Sequence, residues 1–153
     1  MKVCLGGTFH PLHKGHKELL RKAFQVAGPQ GSVFIGLTSP TMIKKKGKLA
    51  SFEKRKKSIV QFLAEENVLE QATIQPLSNK FGPTLQGDFD AIVVSPETES
   101  SAEEINRKRT HLGKTPLQII VIPFVLSDDG TPISSSRIRR KEIDENGTMV
   151  KRD

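Results

Sequence analysis

The chain has 153 residues, of which 35% are hydrophobic, and this length suits one domain with a single core. No apolar run approaches a membrane span and the first strand begins at the N-terminus, so we expect a cytoplasmic protein without a signal peptide. The formal net charge of +7 favours an anionic partner, but without Trp or Tyr there are few stacking platforms for nucleic acid, so phosphorylated small molecules are favoured.

The hydrophobic pattern predicts strands and helices in alternation along the chain. Short apolar runs predict five strands, at Val3–Leu5, Ser32–Leu37, Ala72–Pro76, Ala91–Ser95 and Gln118–Ile122. Apolar residues at helical spacing predict three helices, at about Gly15–Ala27, Ser51–Glu66 and Ser100–Leu112. We therefore predict an α/β fold: a Rossmann-like open parallel five-stranded sheet with helices on both faces, in one domain spanning residues 1–153. The polar tail, residues 141–153, is expected to be loosely held.

A glycine- and histidine-rich run at residues 6–16 joins the first strand to the first helix. A strand, a glycine turn and a helix start present unpaired backbone N–H groups and the positive end of a helix dipole, which suits phosphate. Gly6 and Gly7 let a ligand approach the backbone, and Thr8 adds a hydroxyl. His13 and His16 lie on one face of the first helical turn, where both imidazoles can donate hydrogen bonds to phosphate oxygens.

Other interpretations of these residues stay open at this point. A glycine turn and exposed polar histidines at a helix start are common without any function. His10, His13 and His16 could ligate a metal, but no cysteine or carboxylate cluster stands nearby to complete a shell. We therefore expect no metal site built by the protein itself.

Two clusters of basic residues follow the second predicted strand. The first is a loop with Lys44, Lys45, Lys46 and Lys48, which is either a solvated run or a source of one lysine that reaches over bound phosphates. The second, residues 54–57 on the second helix, is interpreted mostly as a solvent-exposed face.

A serine run, Ser134, Ser135 and Ser136, follows the fifth strand and precedes Arg137. Three hydroxyls and the backbone N–H groups of a helix start, with arginines one and two turns on, would form a second phosphate cradle. The competing interpretation is a capped, basic surface helix.

These runs resemble two signatures of the nucleotidylyltransferase superfamily. The first resembles GTFDPxHxGH, and the second resembles ISSSxIR, which accompanies it. The segments Ser-Pro-Glu-Thr at residues 95–98 and Ile-Asn-x-x-Arg at residues 105–109 resemble the archaeal type of phosphopantetheine adenylyltransferase. The chain departs from the family at His10 and Asn79, where the family usually has aspartate.

The resemblance implies transfer of an adenylyl group from ATP to 4′-phosphopantetheine, which gives dephospho-coenzyme A and pyrophosphate. It implies three catalytic residues: His16, Lys44 and Arg107. It implies nine residues that bind ATP or its phosphates: Gly7, Thr8, Phe9, His13, His16, Ser134, Ser135, Ser136 and Arg137. The implied phosphopantetheine-binding residues are Thr8, Lys44, Leu77 and Arg107. Mg²⁺ would arrive with ATP, and we expect no nucleic-acid or membrane partner and favour a monomer.

Some alternatives remain within this resemblance. The acceptor could be nicotinamide mononucleotide, flavin mononucleotide or glycerol phosphate, because the two signatures do not discriminate among them. The chain could also be a nucleotide- or nucleic-acid-binding domain without turnover. We favour Lys44 over its two neighbours as the acting lysine, and we expect His10 to brace the loop by hydrogen bonds.

Overall fold

The computed structural model describes residues 1–39, 50–79, 81–134, 137–138 and 140–150. The elements are β1 (Lys2–Gly7), α1 (Lys14–Ala27), β2 (Ser32–Thr38), α2 (Phe52–Glu65), β3 (Ala72–Leu77), β4 (Ala91–Val94), α3 (Glu99–His111) and β5 (Gln118–Val121). Short 3₁₀ turns occur at Leu69–Gln71 and Gly82–Leu85. The five predicted strands and three predicted helices are confirmed, with every boundary within two residues of its prediction.

The five strands form one parallel sheet in the order β3-β2-β1-β4-β5. β1 lies in the centre, where Leu5 pairs with Ile35 of β2 and Val3 pairs with Ala91 of β4. Because the chain runs outward from β1 first in one direction and then in the other, the order reverses beside this strand. Ligands of open α/β sheets bind outside the carboxyl ends of the strands at such a reversal.

Alternate residues of the strands point to opposite faces, and each face carries its own hydrophobic core. One core joins the sheet to α1 and α2 through buried residues that include Val3, Leu5, Leu20, Ala23, Val33, Ile35, Ile59 and Leu63. The other joins the sheet to α3 through Cys4, Ile92, Val94, Ala102, Ile105 and Leu117. Helices on both faces of the sheet are therefore confirmed.

The helix ends follow from local chemistry. The Ser51 hydroxyl accepts a hydrogen bond from Lys54 N and caps α2, as the sequence predicted. α1 ends at Gly28, which has a φ of 78° that glycine adopts without the cost of a Cβ, and Pro29 follows it. Within the described ranges, no helix is long and apolar enough to cross a membrane.

The C-terminal residues, which are expected to form a loose tail, contain a turn. Residues 142–149, here called the C-terminal turn, fold back on themselves through a bridge between Ile143 and Met149. Ile143 is only 1% exposed. This segment, which the sequence suggests is loosely held, thus combines the bridge with one buried apolar side chain.

Candidate active site

A cleft of about 740 Å³ opens at the carboxyl ends of the strands. It brings together most of the predicted site residues that the structure describes: Gly7, Thr8, Phe9, His13, His16, Leu77 and Ser134. His10 also lines it. Arg107 and Arg137 are described but are not among the lining residues. The predicted residues Lys44, Ser135 and Ser136, and the alternatives Lys45 and Lys46, lie outside the described residues.

The two histidines form a reciprocal cap at the start of α1. His16 N donates to His13 Nδ1 and His13 N donates to His16 Nδ1, both at 3.3 Å. The rings stack with their centroids 3.6 Å apart. Because each Nδ1 accepts a hydrogen bond, the proton of each neutral ring belongs on Nε2. The His16 ring also forms a hydrogen bond with the Pro11 backbone.

Both rings stay uncharged at neutral pH. Burial lowers the pKa of His13 to about 4. Burial, and to a smaller extent the neighbouring His13, lowers the pKa of His16 to about 3. A neutral imidazole can interact with a phosphate only through an N–H group, and this pair lies at the positive end of the α1 dipole, which favours anions.

Glycines make room for this arrangement. A Cβ at Gly15 would lie 2.8 Å from His13 Cε1, so any other residue at this position between the two histidines would displace the His13 ring. A Cβ at Gly7 would lie 3.2 Å from the Phe9 ring. Phe9 is 2% exposed, has a φ of 52° and packs its ring 5.0 Å from the His16 ring. A side chain larger than alanine is rare at such a φ, and strain of this kind is concentrated at functional sites.

Arg55 corrects the interpretation of residues 54–57 as a solvent-exposed face. Its side chain is 1% exposed, whereas Lys54 and Lys57 are exposed. Nη1 donates to Thr8 O at 3.2 Å and to Thr38 Oγ1 at 3.3 Å, and Thr38 Oγ1 in turn donates to Thr8 Oγ1 at 3.1 Å. Arg55 therefore holds the backbone and the hydroxyl position of the predicted phosphate-binding threonine.

The charge on Arg55 is balanced by oxygen dipoles. Its Nε donates to Ala50 O at 3.0 Å, and no carboxylate in the described part of the chain forms an ion pair with it. Burial lowers the pKa of this guanidinium, which nevertheless remains protonated. The sequence did contain a signal for this role, since position 55 lies three residues after Phe52 and four before Ile59 on the apolar stripe of α2.

Leu77 forms an apolar wall of the cleft above a layer of glycines. A Cβ at Gly36 would lie 2.7 Å from three Leu77 side-chain carbons, and a Cβ at Gly82 would lie 2.4 Å from Leu77 Cδ2. Leu77 is 9% exposed at the end of β3. It thus belongs to the cleft, as predicted, and its position depends on two glycines from different elements.

Asn79 has a structural explanation. Its Oδ1 accepts hydrogen bonds from Phe81 N at 3.1 Å and Gly82 N at 2.8 Å. The side chain therefore fixes the 3₁₀ turn that follows β3. An aspartate could accept the same two hydrogen bonds, so the departure from the family leaves this function unchanged.

Ser134 lies at the cleft and begins the predicted helical turn. Its hydroxyl accepts from Arg137 N at 3.2 Å and its carbonyl accepts from Ile138 N at 3.2 Å, so it acts as an N-cap. The serine motif thus presents a capped helix start to the same cleft as the histidine pair.

The Arg137 side chain is engaged by two carboxylates, neither of which is among the residues that line the cleft. Nη2 lies 2.6 Å from Asp129 Oδ2 and Nε lies 3.3 Å from Glu142 Oε2. Hydrogen bonds from Ser127, Thr131 and Arg137 lower the pKa of Asp129. Aligned letter by letter, ISSSxIR places its arginine at Arg139, which lies outside the described residues, and its variable position at Arg137. The phosphate-binding role predicted for Arg137 is not what this conformation displays.

The Ile-Asn-x-x-Arg segment of α3 forms hydrogen bonds to the segments that precede β4 and β5. The Asn106 amide bonds to Leu117 O and Leu117 N, at 2.8 and 2.7 Å. Arg109 is 3% exposed and donates through Nη1 to Thr84 O at 2.7 Å and Gly87 O at 2.9 Å. Arg107 is exposed on α3, outside the described cleft lining, so its predicted catalytic role stays a prediction.

A parallel sheet with a paired-histidine helix start and a serine turn over one cleft is the arrangement of a nucleotidylyltransferase. A family model described as Cytidylyltransferase-like matches residues 4–141. The chain belongs to this family.

Within the family, the chain is similar to archaeal proteins named phosphopantetheine adenylyltransferase. It is 46% identical over 149 residues to the one from Methanosarcina acetivorans, which covers 97% of this chain and 95% of the relative. It is 46% identical over 156 residues to the one from Pyrococcus abyssi, in an alignment that covers 99% of this chain and 97% of the relative. A crystal structure of a protein with unknown function from Archaeoglobus fulgidus has a TM-score of 0.72 and 37% identity, and covers 80% of this chain and 89% of that one. The predicted resemblance is therefore confirmed.

Proposed function

We propose that this protein transfers the adenylyl group of ATP to 4′-phosphopantetheine, which releases pyrophosphate and gives dephospho-coenzyme A. The observation that carries the proposal is the stacked His13–His16 pair, whose two rings line a cleft shared with Ser134. The names of its archaeal relatives supply the acceptor.

The reaction is a direct displacement at phosphorus. A phosphate oxygen of phosphopantetheine attacks the α-phosphorus of ATP, and the bond from that phosphorus to the oxygen that bridges to the β-phosphorus breaks. The acceptor is already a phosphate anion, so neither a protein nucleophile nor a strong general base is required. Catalysis then depends on the alignment of the substrates and on stabilisation of the charge on the phosphoryl oxygens.

The chain's own groups suit these tasks. The imidazoles of His13 and His16 would donate hydrogen bonds to oxygens of the reacting phosphates, for which the His16 ring would exchange its hydrogen bond with the Pro11 backbone, and their neutral state needs no counter-charge in the apoprotein. Thr8 lies beside them with its backbone held by Arg55. Ser134 lines the same cleft and would bind the phosphates that leave as pyrophosphate. The same role is proposed for Ser135 and Ser136 from the sequence motif. Lys44 and Arg107 would neutralise charge between the two substrates.

Mg²⁺ is proposed to enter on the ATP phosphates. In the part of the chain that the structure describes, no group of three or more His, Cys, Asp or Glu side chains is placed to hold a metal ion. Such a site suits Mg²⁺ that keeps most of its ligands from water and the nucleotide. The ion would supply further charge neutralisation at the reacting phosphates.

The far wall of the cleft is apolar and suits the pantetheine arm. It consists of residues from β2, β3, the start of the second 3₁₀ turn, β4 and α3: Phe34, Leu77, Phe81, Ile92 and Ile105. A nucleoside acceptor such as nicotinamide mononucleotide would instead require polar partners for its base and ribose. This wall favours phosphopantetheine over the other acceptors considered.

The test is a turnover screen that follows pyrophosphate release from ATP or CTP with each candidate acceptor. We expect ATP with phosphopantetheine to be the fastest pair. Faster turnover with nicotinamide mononucleotide, flavin mononucleotide or glycerol phosphate would refute the acceptor assignment alone. Absence of pyrophosphate with every acceptor would favour a binding domain without turnover.

A further inference from the structure

The C-terminal turn, residues 142–149, contacts both phosphate-binding motifs. On one side, the Glu145 carbonyl accepts a hydrogen bond of 2.9 Å from Lys14 N, the first residue of α1 and the neighbour of His13. On the other side, Glu142 Oε2 lies 3.3 Å from Arg137 Nε, next to the serine motif. The segment therefore joins two parts of the cleft that are separate in the sequence.

The turn is seated tightly beside the serine motif. Ile143 is buried, and Asp128 N donates to Gly147 O at 2.8 Å. Gly147 has a φ of 83°, and a Cβ there would lie 2.8 Å from Ile133 Cδ1 and 2.9 Å from Ser127 Cα. Ile133 directly precedes Ser134, so any shift of the turn is transmitted to the residue that caps the serine helix.

Asp144 organises the turn internally. Its Oδ1 accepts from Asn146 N and Thr148 N, both at 2.9 Å. Its backbone N donates to Thr148 O at 2.9 Å, and its carbonyl accepts from Gly147 N at 3.0 Å. The side chain is on an exposed residue, so its removal would loosen the turn without opening a core cavity.

The sheet alone does not join the two motifs directly. The histidine pair follows β1 and the serine motif comes after β5, and β4 lies between these strands. We propose that the C-terminal turn is a positioning element that fixes the separation between the His13–His16 helix start and the serine motif. This inference rests on the proposed function, in which these two motifs hold the same ATP molecule.

A positioning role predicts a selective kinetic defect. A displacement of about 1 Å between groups that hold one substrate can reduce turnover by about 100-fold. Because the apolar acceptor wall is formed by other elements, the loss should fall on ATP binding and on turnover. The KM for phosphopantetheine should stay within about twofold of the native value, because the C-terminal turn does not contribute to the apolar wall proposed for the acceptor.

Asp144→Ala and Asp144→Asn form a matched pair. The asparagine keeps an Oδ1 acceptor for Asn146 N and Thr148 N, whereas the alanine has none. We expect Asp144→Ala to lower kcat/KM for ATP by about tenfold or more and Asp144→Asn to stay within about twofold of wild type. Calorimetric titration with ATP alone should show the same order, and it remains valid if the acceptor assignment is wrong.

A spectroscopic measurement separates positioning from general destabilisation. The imidazole ¹⁵N signals of His13 and His16 should move in Asp144→Ala and stay in place in Asp144→Asn, at a temperature where both variants are folded. If Asp144→Ala does not fold, Glu142→Ala tests the link to Arg137 without disturbing Ile143, and it should weaken ATP binding several-fold. Unchanged ATP binding in a folded Asp144→Ala or Glu142→Ala, or equal losses for both substrates, would overturn the proposal.

Discussion

The glycine between the two histidines offers the sharpest test of the site. In Gly15→Ala the new Cβ would lie 2.8 Å from His13 Cε1, about 0.7 Å inside the ~3.5 Å at which carbon atoms pack best. If the His13 ring moves by that amount, its Nδ1 passes beyond hydrogen-bond distance of His16 N, which is already at 3.3 Å. The His13 ring then loses the hydrogen bond that fixes its tautomer and its orientation.

The expected magnitude follows from the loss of one aligned donor. Removal of such a donor lowers turnover by roughly 100-fold, or about 2.7 kcal/mol in the barrier. Stability should change little, because alanine favours a helix over glycine by about 1 kcal/mol, which offsets the roughly 1 kcal/mol of a lost cap. Steady-state pyrophosphate release and thermal melting would measure the two effects.

Gly28→Ala is the matched control at the other end of α1. No atom lies within 4 Å of a Cβ at this position, but its φ of 78° is unfavourable for alanine. We expect this variant to lose some stability, on the order of 1 kcal/mol, and to keep its turnover. If Gly15→Ala is fully active, or if both variants lose turnover in proportion to stability, the clash with His13 does not govern the site.

Four further predictions follow from the same contacts. His16→Ala should lose roughly 100-fold or more in kcat with little change in melting temperature; a large drop in melting temperature with retained kcat would show a core role. The pKa values of His13 and His16 are about 4 and about 3 in the native state, whereas histidines of the unfolded chain titrate near pH 6.5. The free energy of unfolding, measured by denaturant titration, should therefore fall as the pH drops from about 6.5 towards 4, and it should fall less steeply in His16→Ala. Arg55→Met should lower the free energy of unfolding by roughly 3 kcal/mol and should also lower kcat, and Arg55→Lys should restore part of both. If Arg55→Met is active and stable, Arg55 does not support the site. Alanine substitution at residues 44–46 should reduce turnover strongly at one lysine only, and equal, salt-sensitive losses would indicate a diffuse charge effect instead.

The fold and the centre of the site could be predicted because their signals are local. Apolar runs and helical spacing define the five strands and three helices within short windows. The His13 and His16 spacing places both side chains on one turn, and the resemblance adds the serine run, of which Ser134 lines the same cleft. Each of these inferences depends on residues that are close together in the sequence.

The remaining features depend on partners that are distant in the sequence. By charge alone, Arg55 cannot be told from the lysines beside it in the sequence. Its distinguishing contact is a hydrogen bond from its guanidinium to the carbonyl of Thr8, 47 residues away. Arg137 looks like a phosphate ligand until Asp129 and Glu142 are placed around it. The C-terminal turn looks like a polar tail in the sequence because it is held by the Ile143 side chain and by backbone hydrogen bonds with the distant residues Lys14 and Asp128. Charge pattern alone does not reveal which cations are buried or paired.

The central claim is direct transfer of the adenylyl group to phosphopantetheine by aligned donors, without a protein nucleophile. The most direct test uses ATP in which sulfur replaces one non-bridging oxygen of the α-phosphate, so that the α-phosphorus is a stereocentre of known configuration. The product formed with phosphopantetheine is then examined by ³¹P NMR. One in-line displacement predicts a thio-substituted dephospho-coenzyme A with inverted configuration at that phosphorus. Retained configuration, which requires two successive displacements, or the absence of this product would contradict the account.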